Sequence, residues 1–206
     1  MPVPGEPIRL LALGDSYTIG EGVAPGQRWP ALLARRLRDG GVESADPIIV
    51  ARTGWTVAEL ESGIDQAAPS GTFELATLQI GVNDQFRGYP VNDFVDEFAA
   101  MLERAVGFAG RVPGRVIVLS IPDWGVTPFA AGRDRDRIAT EIDAFNRVVA
   151  AESGRRGAGF VDVTPISRRA ADDPGLLAGD GLHPSGEMYS LWVDLVLPVA
   201  LGIVGA

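Results

Sequence analysis

The chain of 206 residues contains a single histidine, His183, in the segment at positions 179–184. Histidine gives and takes protons near neutral pH, so any imidazole chemistry in this protein must use His183. Asp180 lies three positions earlier and can orient the ring from the same segment. The segment therefore carries a candidate general base and its carboxylate partner, and a catalytic site here also requires a nucleophile and an oxyanion site.

Three other segments supply groups of the kinds that such a site requires. Ser16 offers a hydroxyl and its backbone N–H, Gly54 offers a backbone N–H that a ligand can approach closely, and Asn83 offers a side-chain amide. Each has an ordinary alternative role as a helix cap or a turn residue, and the lone histidine has one as a surface residue. Together they match serine acyl transfer, which uses a nucleophile, a base, an orienting carboxylate and donors for an oxyanion.

The elements that position these groups can be read from the apolar pattern. Five short apolar runs are predicted strands, namely Ile8–Leu13, Ile48–Ala51, Leu75–Ile80, Arg115–Ser120 and Gly159–Val163. Amphipathic segments predict helices at Trp29–Arg38, Val57–Gln66, Val91–Val106, Asp136–Ser153 and Ser185–Val196. Near-continuous apolar strands that alternate with helices are typical of a buried parallel sheet, so we predict an α/β three-layer sandwich. Ligands bind at the carboxyl ends of such strands, where the candidate residues lie.

Composition narrows the class of partner. The chain has a net charge of −9, which argues against nucleic acid as a ligand. It contains no cysteine, which excludes disulfides and thiolate catalysis, and with a single histidine a transition-metal site is not expected. The length fits one domain, so residues 1–206 are predicted to fold together.

The ends of the chain bear on location. The N-terminal residues show no signal-peptide pattern, and we predict a cytoplasmic protein. The apolar run from Leu195 to Ala206 is too short to span a bilayer and contains Pro198, which is expected to interrupt it. We interpret this run as a final helix that packs on the core, and expect no membrane anchoring.

Four ordered blocks of the sequence resemble the SGNH hydrolases, also called GDSL esterases/lipases. The matching residues are Gly14-Asp15-Ser16, Gly54, Gly81-Val82-Asn83-Asp84 and Asp180 through Pro184. Tyr17 stands where this family often has leucine, a departure that affects the shape of the pocket beside Ser16. Since the blocks run from position 14 to position 184, the resemblance covers nearly the whole chain.

The resemblance implies a flavodoxin-like α/β/α fold with a five-stranded parallel sheet, and a Ser-His-Asp triad. By this resemblance, Ser16 is the nucleophile, His183 the base and Asp180 its orienting carboxylate. The oxyanion hole consists of the Ser16 and Gly54 backbone N–H groups and the Asn83 amide. No cofactor or metal is expected. We interpret Asp15, Asp84 and Asp162 as carboxylates that hold neighbouring loops by accepting hydrogen bonds from their amides.

The function expected on these grounds is hydrolysis of a small ester, of a soluble short-chain or acetyl kind, through an acyl-enzyme. Aromatic residues near the predicted rim are candidates for the pocket wall: Tyr17, Trp55, Phe86, Tyr89, Trp124 and Phe129. Three alternatives stay open: an acyltransferase with the same triad, a non-catalytic carbohydrate-binding relative, and a flavin-binding electron carrier of the flavodoxin-like fold. The oligomeric state cannot be read from the sequence.

Overall fold

Five parallel strands form the central sheet of the computed structural model, which describes residues 6–205. The strands are β1 (Leu10–Gly14), β2 (Ile48–Ala51), β3 (Leu75–Gln79), β4 (Val116–Leu119) and β5 (Gly159–Val161). They lie in the order β2-β1-β3-β4-β5. Every residue of β1, β3 and β4 is buried, as expected for strands covered by helices on both faces. The predicted strands are confirmed, with ends that differ by one or two residues.

Eight α-helices surround this sheet in the described part of the chain. They are α1 (Ser16–Ile19), α2 (Trp29–Asp39), α3 (Val57–Ala67), α4 (Val82–Phe86), α5 (Val91–Phe108), α6 (Arg135–Arg156), α7 (Thr164–Arg168) and α8 (Gly186–Val204). Helices α2 and α8 pack together on one face of the sheet, while α3, α5 and α6 pack in sequence on the other. The predicted three-layer α/β/α fold is therefore confirmed.

Local signals set the ends of several helices. Thr56 caps α3 by accepting a hydrogen bond from the Glu59 N–H, and Glu59 accepts one in return from the Thr56 N–H. Asp134 caps α6 by accepting from the Arg137 N–H at 3.0 Å. Such side-chain acceptors satisfy the N–H groups that the first turn of a helix leaves unpaired. The three short helices α1, α4 and α7 were not predicted, because one turn leaves too few residues for a periodic pattern.

The C-terminal helix α8 corrects one prediction. Pro198 does not interrupt it, since the helix runs from Gly186 to Val204 with Pro198 inside. A proline removes one hydrogen bond to the carbonyl four residues earlier, here that of Asp194, and both residues are exposed so that water can replace the bond. Within residues 6–205, α8 is the one helix that is long and apolar enough to cross a bilayer by length and composition, and 33% of that stretch is buried. The absence of membrane anchoring stays a prediction.

Candidate active site

The candidate nucleophile lies at the carboxyl end of β1. Ser16 is the first residue of α1, and Asp15 caps this helix by accepting a hydrogen bond from the Tyr17 N–H at 3.0 Å. The helix ends after one turn at Gly20, whose φ of 73° is left-handed. Because the first N–H of a helix has no acceptor inside the helix, the Ser16 N–H is available to a ligand.

The candidate base is fixed by the carboxylate predicted to orient it. His183 Nδ1 lies 2.6 Å from Asp180 Oδ2. The other oxygen, Asp180 Oδ1, accepts hydrogen bonds from the backbone N–H groups of Leu182 and His183, both at 3.0 Å. Partial burial opposes ionisation of Asp180, but the bonds from His183 and Leu182 outweigh it and lower the pKa of the carboxyl group. An ionised Asp180 holds the Nδ1 proton and leaves Nε2 of the buried ring as the basic atom.

The two remaining oxyanion candidates come from the loop between β2 and α3 and from helix α4. Gly54 follows β2 with a φ of 86°, a backbone conformation that favours glycine. In the described residues no acceptor is found for the Gly54 N–H. Asn83 lies in α4, and its Nδ2 donates to the Trp55 carbonyl at 2.9 Å, which uses one of its two N–H groups. Gly54 and Asn83 therefore each retain one N–H group for a ligand.

A cavity of about 130 Å³ brings these groups together. Ser16, Gly54, Asn83 and His183 all line it, and Asp180 reaches it through its bond to the His183 ring. The other lining residues are Tyr17, Thr53, Val82, Phe86, Trp124, Phe129 and Leu182. Within residues 6–205 the Ser16 hydroxyl makes no hydrogen bond, so the hydrogen bond between Ser16 and His183 of the predicted triad is not formed in this structure. Such bonds are commonly long in free enzymes and tighten when substrate binds.

The wall of the cavity is aromatic. The Phe86 ring lies 5.3 Å from Trp124 and 6.0 Å from Phe129, measured between ring centroids. The Arg133 guanidinium lies over the same three rings, at 5.0 Å from that of Phe86. Tyr17 also lines the cavity, with its ring 5.5 Å from the His183 ring. Of the six aromatic candidates, Trp55 and Tyr89 are absent from the lining.

One further side chain fixes this wall, and no local sequence pattern points to it. Gln85, in α4, accepts a hydrogen bond from Trp124 Nε1 at 2.8 Å and donates one to Glu141 at 2.7 Å. Its partners lie 39 and 56 positions away, so no local pattern could reveal it. The Gln85 amide ties the helix that carries Asn83 to the loop that carries Trp124.

The three carboxylates expected to hold loops do accept hydrogen bonds from backbone amides. Asp15 accepts from Tyr17, Asp84 from Val57 at 3.3 Å and Asp162 from Thr164 at 3.0 Å. Burial raises the pKa of Asp15 to about 8, with a further contribution from the nearby charge of Asp84. Burial also raises the pKa of Asp84 to about 6. The carboxyl group beside the nucleophile is thus mostly neutral at pH 7 and does not repel a developing oxyanion.

The proteins of similar sequence include esterases. Residues 12–191 match the family described as GDSL-like Lipase/Acylhydrolase. Esterase TesA of Pseudomonas aeruginosa is 26% identical over 184 residues, which are 85% of this chain and 79% of that protein. The relatives favour the ester hydrolase over the electron carrier.

Solved structures agree on the fold. The crystal structure of TesA has a TM-score of 0.72 and 23% identity, and the match covers 95% of this chain and 99% of that one. A variant of Axe2, an acetyl xylan esterase from Geobacillus stearothermophilus, has a TM-score of 0.65 at 21% identity, with 96% and 94% covered. At these identities the likeness establishes the shared architecture.

Proposed function

The chain belongs to the GDSL-like lipase/acylhydrolase family and is a hydrolase that acts on esters, and on this basis we propose that it works through an acyl-enzyme on Ser16. The observation that carries the proposal is the convergence of Ser16, His183 and two N–H donors on one cavity. The predicted single domain, cytoplasmic location and absence of a cofactor stay predictions.

In the first step, His183 Nε2 takes the Ser16 hydroxyl proton while Oγ attacks the ester carbonyl carbon. The ring then carries a positive charge, which Asp180 stabilises through the 2.6 Å contact at Nδ1. The proton passes from Nε2 to the leaving alcohol, the C–O bond breaks and the acyl group stays on Ser16. The ionised state of Asp180 supports this role, because a neutral acid stabilises an imidazolium far less.

The negative oxygen of the tetrahedral intermediate is assigned to three donors: the Ser16 N–H, the Gly54 N–H and the free N–H of the Asn83 amide. Donors that are held by folded elements need little reorganisation when the charge develops, which favours this assignment. Loss of one such donor typically slows turnover by about two to three orders of magnitude. Water completes the cycle. His183 removes a proton from water as it attacks the acyl carbon, and returns a proton to Ser16 Oγ as the acyl–Oγ bond breaks and the carboxylic acid leaves.

The size and lining of the cavity favour a small acyl group. A cavity of about 130 Å³ is well below the roughly 300 Å³ at which pockets for drug-sized ligands begin. Its walls are mostly apolar, with rings from Tyr17, Phe86 and Trp124. We propose short-chain esters, including acetyl esters, as substrates; the acetyl xylan esterase named above shows that this fold accommodates such chemistry.

A series of p-nitrophenyl esters from acetate to decanoate tests this function. We expect kcat/KM to be highest for the shortest acyl groups, and Ser16→Ala to reduce it by about three orders of magnitude or more, as for other removed triad members. Ser62→Ala is the matched control, because Ser62 lies on α3 and its hydroxyl bonds only its own helix. Circular dichroism verifies folding. Unchanged activity of folded Ser16→Ala contradicts the proposed mechanism, and a maximum at long chains contradicts the proposed substrate class.

A further inference from the structure

Arg87, the residue directly after α4, holds the loop that carries Gly54. Its Nη2 atom donates to the Gly54 carbonyl at 2.6 Å and to Glu59 Oε2 at 2.9 Å, and Nη1 donates to Glu59 Oε1 at 3.2 Å. Glu59 in turn accepts a hydrogen bond from the Thr56 N–H at 2.9 Å. One guanidinium therefore joins the first turn of α3, the end of α4 and the loop between β2 and α3.

The contact falls on the peptide that follows the candidate donor, because the Gly54 carbonyl belongs to the Gly54–Trp55 peptide and the Gly54 N–H to the one before it. The Trp55 N–H donates to the Arg52 carbonyl at 3.2 Å, which closes a turn with Gly54 at its third position. The positive φ of Gly54 depends on this turn, and glycine by itself is free to leave it. A bond from Arg87 to the Gly54 carbonyl fixes the residue from its other side and so fixes the direction of its N–H.

The same helix carries the second donor. Arg87 continues the last turn of α4, since its N–H bonds the Asn83 carbonyl at 3.0 Å, so the side chains of Asn83 and Arg87, four residues apart, share one face, and both bond carbonyls of the same loop. Asp84 adds a third contact through the Val57 N–H. Three contacts thus hold the loop and the first residue of α3 against α4 and Arg87, and Arg87 provides the only charged donor among them.

We propose that Arg87 is a positioning residue that holds the Gly54 N–H in register with the Asn83 amide, so that both donors meet one oxyanion. This inference rests on the proposed function, because it concerns a donor of that same site. Arginine suits the task since its planar fork bonds Glu59 through two nitrogens and still reaches the carbonyl. A lysine provides one point of charge and cannot hold both partners in a fixed geometry.

The test compares Arg87→Met, Arg87→Lys and Glu59→Gln with wild type in steady-state hydrolysis of p-nitrophenyl acetate. Arg104→Met is the matched control, because Arg104 also forms ion pairs with α3, at Glu61 and Asp65, but away from Gly54. Glu59→Gln keeps an oxygen for the Thr56 N–H while it removes the charged partner of Arg87. Circular dichroism and the melting temperature show whether each variant folds.

A misdirected donor weakens transition-state binding more than substrate binding, so kcat is expected to fall while KM stays nearly constant. We expect Arg87→Met to lower kcat about tenfold, less than the loss of a whole donor, with KM within about twofold. Arg87→Lys and Glu59→Gln should lose less, and Arg104→Met should match wild type.

Two outcomes would overturn the positioning role. One is an unchanged kcat in folded Arg87→Met; the other is an equal loss in Arg104→Met, which indicates a general effect of ion pairs on stability. If Arg87→Met does not fold, Glu59→Gln provides the test, because a lower kcat with a nearly constant KM in that variant supports the positioning role and an unchanged kcat contradicts it. An inactive wild type instead contradicts the proposed function, so the two failures are distinguishable.

Discussion

Replacing Asp15 by asparagine is expected to change how the stability of the protein depends on pH. Asp15 is fully buried beside Ser16, and its Oδ2 has no hydrogen-bond partner within the described residues. Burial raises its pKa from 3.8 to about 8. Asparagine keeps the oxygen that accepts from the Tyr17 N–H and is itself a good helix cap, but it carries no charge at any pH.

The direction of the effect follows from proton binding. Between pH 3.8 and about 8, Asp15 is protonated in the folded protein and ionised in the unfolded chain. The folded state binds the additional proton, so the free energy of unfolding falls as pH rises through this window. The stabilising contribution is fully present below pH 3.8 and is lost as pH approaches 8. Inside this window, each pH unit lowers the free energy of unfolding by about 1.4 kcal/mol, which amounts to about 3 kcal/mol between pH 5 and pH 7.

Urea unfolding of wild type and Asp15→Asn at pH 5, 6 and 7 measures this difference. The titration of the groups that both proteins share cancels in the difference between them. The free energy of unfolding of the variant is therefore expected to rise by about 3 kcal/mol relative to that of wild type from pH 5 to pH 7. Asp96→Asn, which alters an exposed carboxylate of α5, is the control and should track wild type. A difference between wild type and Asp15→Asn that does not change with pH would refute the reasoning, because Asp15 would then be ionised in the folded protein.

Three further variants test the site and its support. Asp180→Asn removes the charge that stabilises the protonated His183. It is expected to lower kcat by about three to four orders of magnitude in stopped-flow or steady-state assays, and a loss below tenfold contradicts the triad. Phe86→Ala removes a wall residue that is 42% exposed, so kcat/KM for hexanoate relative to acetate should rise about tenfold without loss of folding, and an unchanged ratio means that Phe86 does not limit chain length. Gly81→Ala places a Cβ 2.7 Å from the buried Phe94 ring, at a backbone φ of 122°. It should lower the free energy of unfolding by about 2 kcal/mol, as measured by thermal melting, and an unchanged melting temperature contradicts this.

The sheet and the residues of the cavity were predictable because local patterns encode them. Continuous apolar runs identify β1, β3 and β4 as strands covered on both faces. Parallel strands bring their carboxyl ends to one edge, so Ser16, Gly54 and Asn83 were expected to meet although they lie far apart in the chain. Asp180 and His183 share one short segment, and their contact follows from its length.

Long-range hydrogen bonds were beyond such patterns. Gln85 bonds Trp124 and Glu141, and Arg87 bonds the Gly54 carbonyl 33 positions away. Tertiary packing determines these partners, and the sequence near Gln85 or Arg87 contains no periodicity that predicts such long-range hydrogen bonds. The continuation of α8 through Pro198 was also missed, because the cost of proline depends on whether the freed carbonyl is exposed to water.

The central claim is that Ser16 carries the acyl group during turnover. Rapid acid quenching of the enzyme with p-nitrophenyl acetate, followed by peptide mass spectrometry, tests it directly. We predict one acetyl group on the peptide that contains Ser16, and an initial burst of nitrophenol equal to the enzyme concentration when deacylation is the slower step; Ser16→Ala should show neither. Acetylation at another residue, or full turnover by folded Ser16→Ala, would contradict the account.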